Sequence, residues 1–320
     1  MTAANTGSPA EPSRRRFRIW SLTQNPVVLK ELRSRMRGGR AFILITLYVI
    51  MLSLGVSLIY FAFRTANSSS FTSNINQSLG KATFGMIVGL ELMMVCFIAP
   101  ALTAGAISSE RERQTYDLLR TTLLPARSLV TGKLNSALFF LLLLLVVGFP
   151  LQSMAYLFGG VALEEVVLSF VMLMVTASAF SAIGLYISSR MRSTLPSTVV
   201  SYIATIIIVF GIPIIIYISL ITFASLLLDS ANLSSFQQTM VEVILLSVGW
   251  VFVAVNPLAA AIGSELMLIE EQSVFFMKIP LTSGTQFLLV SPWIGYVLFY
   301  LLLSVFLVYL SIRNVKRVER

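Results

Sequence analysis

The chain has 320 residues, of which 57% are hydrophobic and only 12% charged, and a mean hydropathy of +0.87. These values exclude an ordinary soluble domain, in which roughly 45–50% of residues are apolar. Histidine is absent and the one cysteine, Cys96, lies in an apolar run. Cys/His metal sites, intrachain disulfides, Ser-His-Asp triads and Cys-His dyads are therefore excluded by inventory. The net charge of +9 suits either nucleic acid or a membrane surface, and the placement of the basic residues decides between them.

Residues 1–24 are polar, with no charged-then-apolar signal-peptide pattern. They predict a flexible cytoplasmic tail and leave the first span to act as its own insertion signal. Asn25-Pro26 then opens a segment in which Val28, Leu29, Leu32 and Met36 recur at helical spacing, while Lys30, Arg33 and Arg37 fall on other faces. This predicts an amphipathic elbow helix over 25–40, with Lys30, Glu31, Leu32 and Met36 among its working residues, lying on the inner leaflet.

Apolar runs of about 20 residues or more predict six spanning helices, at about 41–63, 84–108, 129–158, 161–189, 197–228 and 292–312. The expected fold class is an all-α polytopic membrane protein. With the N-terminus inside, only Arg64, Lys81 and Lys278 of the 23 Lys and Arg fall on the outer side. That asymmetry sets the orientation, with both termini cytoplasmic, and makes the basic excess a matter of topology and anionic lipid, not nucleic acid.

Two features qualify the spans. The fifth carries Gly211 and Pro213, so a kink or break is expected within its roughly 48 Å. Residues 229–291 form an outer region whose apolar stretch Val241–Ile262 is interrupted by Glu242 and Asn256-Pro257. A seventh crossing there would put the basic tail outside, so charge parity predicts a re-entrant or outer helical element.

Glu91 stands inside the second span, where an ionisable residue is by default a functional candidate for a translocation path. The competing reading is a neutral or hydrogen-bonded structural carboxyl.

Between the second and third spans runs Glu110-Arg111-Glu112-Arg113-Gln114-Thr115-Tyr116-Asp117-Leu118-Leu119, too charged to lie in lipid. Ser108 or Ser109 suits its cap, Glu110 and Glu112 suit the positive end of its dipole, and Pro125 marks its end. A helix over 109–125 is predicted, with Tyr116, Leu119 and Leu123 on one face awaiting a partner at the cytoplasmic surface.

That run, with Thr121-Thr122, Pro125 and Gly132-Lys133 after it, resembles the signature of ABC-2-type transporter permeases. In that family an E-R/K-E-x-G-T-x-x-x-L-L segment joins spans two and three, ahead of a small-residue turn and a Gly-Lys pair. Asn25-Pro26 with Lys30-Glu31-Leu32 resembles the family's elbow, and Asn256-Pro257-Leu258 its Asn-Pro element before the last span. Gln114 stands where glycine is common. The resemblance implies a single transmembrane domain over 25–320 in a prokaryotic plasma membrane. It further implies pairing with a second permease copy or paralogue and with two cytoplasmic ATPase subunits. Glu110, Arg111, Glu112, Thr115, Tyr116, Leu118 and Leu119 would form the coupling helix against the ATPase. The chain has no G-x-x-x-x-G-K-[ST] loop. It is expected to bind no cofactor and perform no catalysis, with ATP and Mg held by the partner ATPase.

Two other readings compete. A self-contained secondary transporter or channel would use Glu91 as its ion-coupling residue, and has only one buried acid to work with. A lipid-acting metalloenzyme would need Glu164, Glu165, Glu265, Glu270 and Glu271 to converge from distant loops.

Overall fold

The computed structural model describes residues 26–66, 73–114, 125–228, 235–271, 274–281, 284 and 286–317. The expected tail over 1–24 lies outside them. Eleven helices are described: α1 Pro26–Met36, α2 Gly39–Ala66, α3 Ser73–Thr103, α4 Ser108–Glu112, α5 Ala126–Phe158, α6 Leu163–Arg190, α7 Thr194–Ile206, α8 Ile212–Leu228, α9 Ser235–Val255, α10 Pro257–Glu271 and α11 Pro292–Arg317. A π-helical turn, Ile207–Gly211, joins α7 to α8, and two strands, β1 Phe276–Pro280 and β2 Gln286–Val290, precede α11.

Helices dominate because lipid offers no partner for a free N–H or C=O, so each apolar run must satisfy its own backbone. Among the described residues, seven stretches are long and apolar enough to cross a membrane: Ala41–Thr65, Gln77–Glu112, Ala126–Phe158, Leu163–Arg190, Thr194–Thr222, Phe236–Val255 and Pro292–Lys316. The protein is an α-helical multi-pass membrane protein. Six of these stretches correspond to the expected spans, and Phe236–Val255 is additional by length and composition.

Helix α6 is the most enclosed of these stretches. Its buried face is built from small residues, including Ala177, Ala179, Ser181, Ala182 and Gly184. A Cβ on Gly184 would run into the Thr103 hydroxyl and lie 3.0 Å from Pro100 Cα, so only glycine permits this close crossing of α3 and α6. Against α11, Thr176 and Tyr296 hydroxyls lie 2.6 Å apart and Ser178 and Ser304 hydroxyls 2.9 Å apart. Such interhelical bonds contribute on the order of 0.6 kcal/mol each within a membrane. Tyr300, stacked near Phe180, completes the contact.

The fifth span is not broken at Pro213 but continues through the π-helical turn Ile207–Gly211. Pro213 has no N–H, so the carbonyls of Ile208 and Val209, its natural acceptors in a π or α turn, are left open. The Asn256 amide donates to both, at 3.2 and 3.1 Å.

The region expected to hold a re-entrant or outer helical element over 241–262 consists of two helices, α9 and α10, parted at Asn256-Pro257. Asn256 Oδ1 accepts the Ala259 N–H at 2.8 Å, and Pro257 fills the first helical position, so the pair caps α10. The Tyr300 hydroxyl donates to the Val255 carbonyl at 2.7 Å, closing the end of α9. Helix α9 therefore stops beside the midpoint of the α7–α8 rod. Helix α10 folds back, with Gly263 set against Val253 and Pro292.

The antiparallel hairpin was not expected in a region read as helical. Its register pairs Phe276 with Val290, Lys278 with Leu288 and Pro280 with Gln286. Trp293 Nε1 donates to the Val274 carbonyl at 2.8 Å and Ser291 N–H to Phe275 at 2.8 Å, which ties the hairpin to the start of α11.

Candidate functional site

The signature residues gather at the end of the bundle that carries α1 and the start of α5. Lys133 lies in α5 and is buried. Its Nζ is 3.1 Å from Glu31 Oε1 on α1 and 3.1 Å from Glu110 Oε1 on α4. One ammonium thus joins three elements, and the two carboxylates supply the charge and hydrogen-bond acceptors that its burial demands. Beneath it lies a satellite apolar core of Ile107, Ala126, Leu129, Val130, Leu134, Leu185 and Val315.

Helix α4 is fastened to every neighbour it meets. Ser188 Oγ on α6 accepts the N–H groups of Ile107 and Ser108 at 2.9 and 3.0 Å. It satisfies donors that the helix start leaves open. This replaces the expected side-chain cap from Ser108 or Ser109; the capping position is Ile107, with no side-chain bond of its own. Arg111 donates to the Met191 carbonyl at 3.2 Å, where α6 ends. Glu112 Oε2 accepts the Thr194 N–H and hydroxyl at 2.9 and 2.7 Å, capping α7 from another helix. Ser197 of α7 donates to the Ala104 carbonyl at 2.5 Å. A displacement of α4 would therefore load the ends of α3, α5, α6 and α7 together.

The expected single coupling helix over 109–125 is corrected at its centre. The helix ends at Glu112, and Arg113–Gln114 form a turn in which Gln114 has φ of +56°. That left-handed conformation favours glycine, which accounts for glycine being common at this position of the family signature. Thr115, Tyr116, Leu118, Leu119 and Leu123 lie outside the described residues.

Helix α1, where the elbow was expected over 25–40, is shorter and ends at Met36, two residues before α2. Its apolar residues divide between two faces. Val28 is buried and Leu32 half-buried toward the bundle, whereas Leu29 and Met36 are exposed, as is Lys30. Arg35 donates to the Leu102 carbonyl at 2.9 Å, tying α1 to the last turn of α3. Burial pulls the Arg35 guanidinium below the usual arginine range, and the Glu31 carboxylate pulls the other way.

Glu91 belongs to a different place. It is fully buried among α2, α3 and α5 and accepts a 2.5 Å hydrogen bond from Gln152 Nε2. Its Oε1 and the Tyr48 hydroxyl converge on Gly148, where a Cβ would collide with that oxygen. Tyr48 and Glu91 face one another as a side-chain hydrogen-bonding pair. Of the outer acids, Glu165 and Glu265 come together on α6 and α10. Glu164 is exposed, and the side chains of Glu270 and Glu271 lie outside the described residues.

Lys133, Arg35, Ser188 and Thr194 are the parts of this arrangement that sequence reasoning did not single out as site residues. Lys133 carried a signal: an ammonium inside the expected third span, 129–158, requires a polar partner. Ser188 and Thr194 carried none, because a hydroxyl in a helical run has many routine uses.

No curated protein matches the chain in sequence. A family model described as "ABC-2 family transporter protein" matches residues 26–312, a range that includes the elbow, the fastened α4, the Asn256-Pro257 break and the last span. The chain is a membrane permease of the ABC-2 transporter family.

Proposed function

We propose that the chain is the permease subunit of an ATP-driven exporter in a prokaryotic plasma membrane, with both termini cytoplasmic and hydrolysis supplied by two separate ATPase subunits. A second permease, identical or paralogous, completes the transmembrane unit. The ATPases act on α4 and the following residues 115–124. Family membership supports pairing with ATPase subunits in general. The observation that carries the mechanical reading is the double ion pair of Lys133 with Glu31 and Glu110, which makes elbow, signature and third span one body.

In this mechanism closure of the ATPases pushes α4. The push passes through Ser188, Arg111 and Glu112 to the ends of α6 and α7 and through Glu110 to α5. Rigid helices carry it across the bilayer, and access to the path alternates. Six crossings fit this reading. Helices α9 and α10 form a hairpin that enters halfway and returns, supported by the bonds of Asn256 and Tyr300 at its tip. Glu91 is a polar contact of the path, supported by its full burial within the second span.

The test is affinity purification from native membranes with an ATPase assay, comparing the natural chain with a variant carrying Tyr116→Asp, Leu118→Asp and Leu119→Asp. An ATP-binding subunit that co-purifies with the first and is lost from the second is expected. Absence of any nucleotide-binding protein in both samples contradicts the proposal.

A further inference from the structure

At the end of the bundle opposite Lys133, α3, α6 and α10 enclose a cavity of about 340 Å³, within the size range of small-molecule sites, roughly 300–1,000 Å³. Its wall is apolar, with Phe84 and Val88 on α3, Leu168 and Met172 on α6, and Leu258 and Ile262 on α10. Gly85 and Gly89 also line it, and a Cβ on either would meet no atom within 4 Å. Two glycines on one helix face thus leave the space open without being required by any close packing.

The polar groups at this cavity are unusual. Glu165 is only 6% exposed and Ser264 only 2% exposed, and both line the cavity. Among the described residues, Glu165 Oε2 and Ser264 Oγ have no hydrogen-bond partner. A buried acceptor and a buried hydroxyl left unmatched are costly, and a ligand would remove that cost. Glu265 also lines the cavity and bears on Glu165, with Lys81 the nearby cation. Among the described residues, two acids, Glu165 and Glu265, face one nearby cation, Lys81, at this site.

We propose that this cavity binds a single-tailed amphiphile with an ammonium head. The tail occupies the apolar wall floored by Gly85 and Gly89, and the head pairs with Glu165 and Glu265 and donates to Ser264 Oγ. A carboxylate or phosphate head would meet like charge, and a neutral alcohol would leave the second carboxylate uncompensated. The inference deepens the permease reading by naming a ligand class. Its test measures binding with no ATPase present, so it and the coupling mechanism fail separately.

The experiment is native mass spectrometry of the full chain released from mild detergent, titrated with dodecylammonium and, in parallel, with dodecanol. One dodecylammonium per chain is expected, bound at least tenfold more tightly than dodecanol. The double variant Glu165→Gln with Glu265→Gln lowers amine affinity at least tenfold. Gly89→Leu, which keeps both carboxylates and fills the open space, abolishes amine binding while leaving the thermal midpoint near that of the natural chain. Unchanged amine affinity in either variant overturns the proposal, as does dodecanol binding as tightly as the amine. Displacement of the amine by phosphatidylethanolamine at equal concentration overturns the single-tailed assignment.

Discussion

Asn256 donates to the Val209 carbonyl at 3.1 Å across 47 residues of chain, filling a place that Pro213 leaves empty in its own helix. One side chain therefore satisfies the carbonyls opened at the π-turn of the fifth span, caps α10 through Ala259 and sets where α9 stops. Asn256→Ala strands the Ile208 and Val209 carbonyls and one N–H of α10. The expected cost is about 1–3 kcal/mol for each buried group left unpaired. Asn256→Asp keeps the cap and loses the donor. A thermal melt in detergent should rank the natural chain above both variants, and an Asp variant as stable as the natural chain would contradict this role for the amide.

The second prediction concerns Lys133. Lys133→Met leaves Glu31 and Glu110 facing one another with no cation between them. A loss of about 3–5 kcal/mol is expected, as for breaking other buried ion pairs. Glu31→Gln alone leaves Lys133 one charged partner and should cost less. Adding Glu31→Gln and Glu110→Gln to Lys133→Met should recover part of the loss, because the like charges are gone. Denaturant or thermal unfolding of the four proteins checks the order.

Gln114 gives a local test of the turn. Its φ of +56° strains a side-chain-bearing residue by roughly 1–2 kcal/mol. Gln114→Gly should leave stability equal or slightly raised, with the greater freedom of glycine in the unfolded chain offsetting part of the gain. Gln114→Val should lower it. Thermal midpoints that fall for both variants would show that the left-handed turn is not a feature of the folded protein.

The spans were legible in the sequence because the physics behind them is local: a run such as Leu138–Phe149 has one stable backbone arrangement in lipid. The break at Asn256-Pro257 was visible as a motif. Its depth was not, because it depends on Val209 and Tyr300, which only folding brings to it. Charge parity reports which side a loop occupies, not how far a helix such as α9 enters. The β-hairpin carried a turn signal at Gly284, which has φ of +80°, but short apolar strands beside it are easily absorbed into a membrane reading. The charged signature was legible by composition, whereas its fastening by Ser188 and Thr194 was not. The helix over 109–125 failed at Gln114, where an ordinary side chain hid a turn that glycine would have announced.

Glu91 and Gly148 are expected to be coupled. Gly148→Ala drives a methyl into the Glu91 carboxyl and should destabilise the bundle by about 1–3 kcal/mol through overpacking. Glu91→Ala removes the obstacle, so the double variant should be less damaged than the sum of the two singles by at least 0.5 kcal/mol, a coupling typical of residues in contact. Unfolding measured across the four-protein cycle checks it. Glu91→Gln preserves the packing, so a transport defect in that variant with normal stability would support its place on the path.

The central claim, that an ATPase seats on the segment beginning at α4, is tested most directly by site-specific photocrosslinking in native membranes. A benzophenone amino acid placed at Gln114, exposed at the tip of the fastened helix, should capture an ATP-binding protein identifiable by mass spectrometry. The same probe at Tyr309, exposed on the last span, should not. Capture of an ATP-binding protein from Gln114 alone is the predicted result. Adducts at Gln114 that contain only lipid or this same chain would contradict the account.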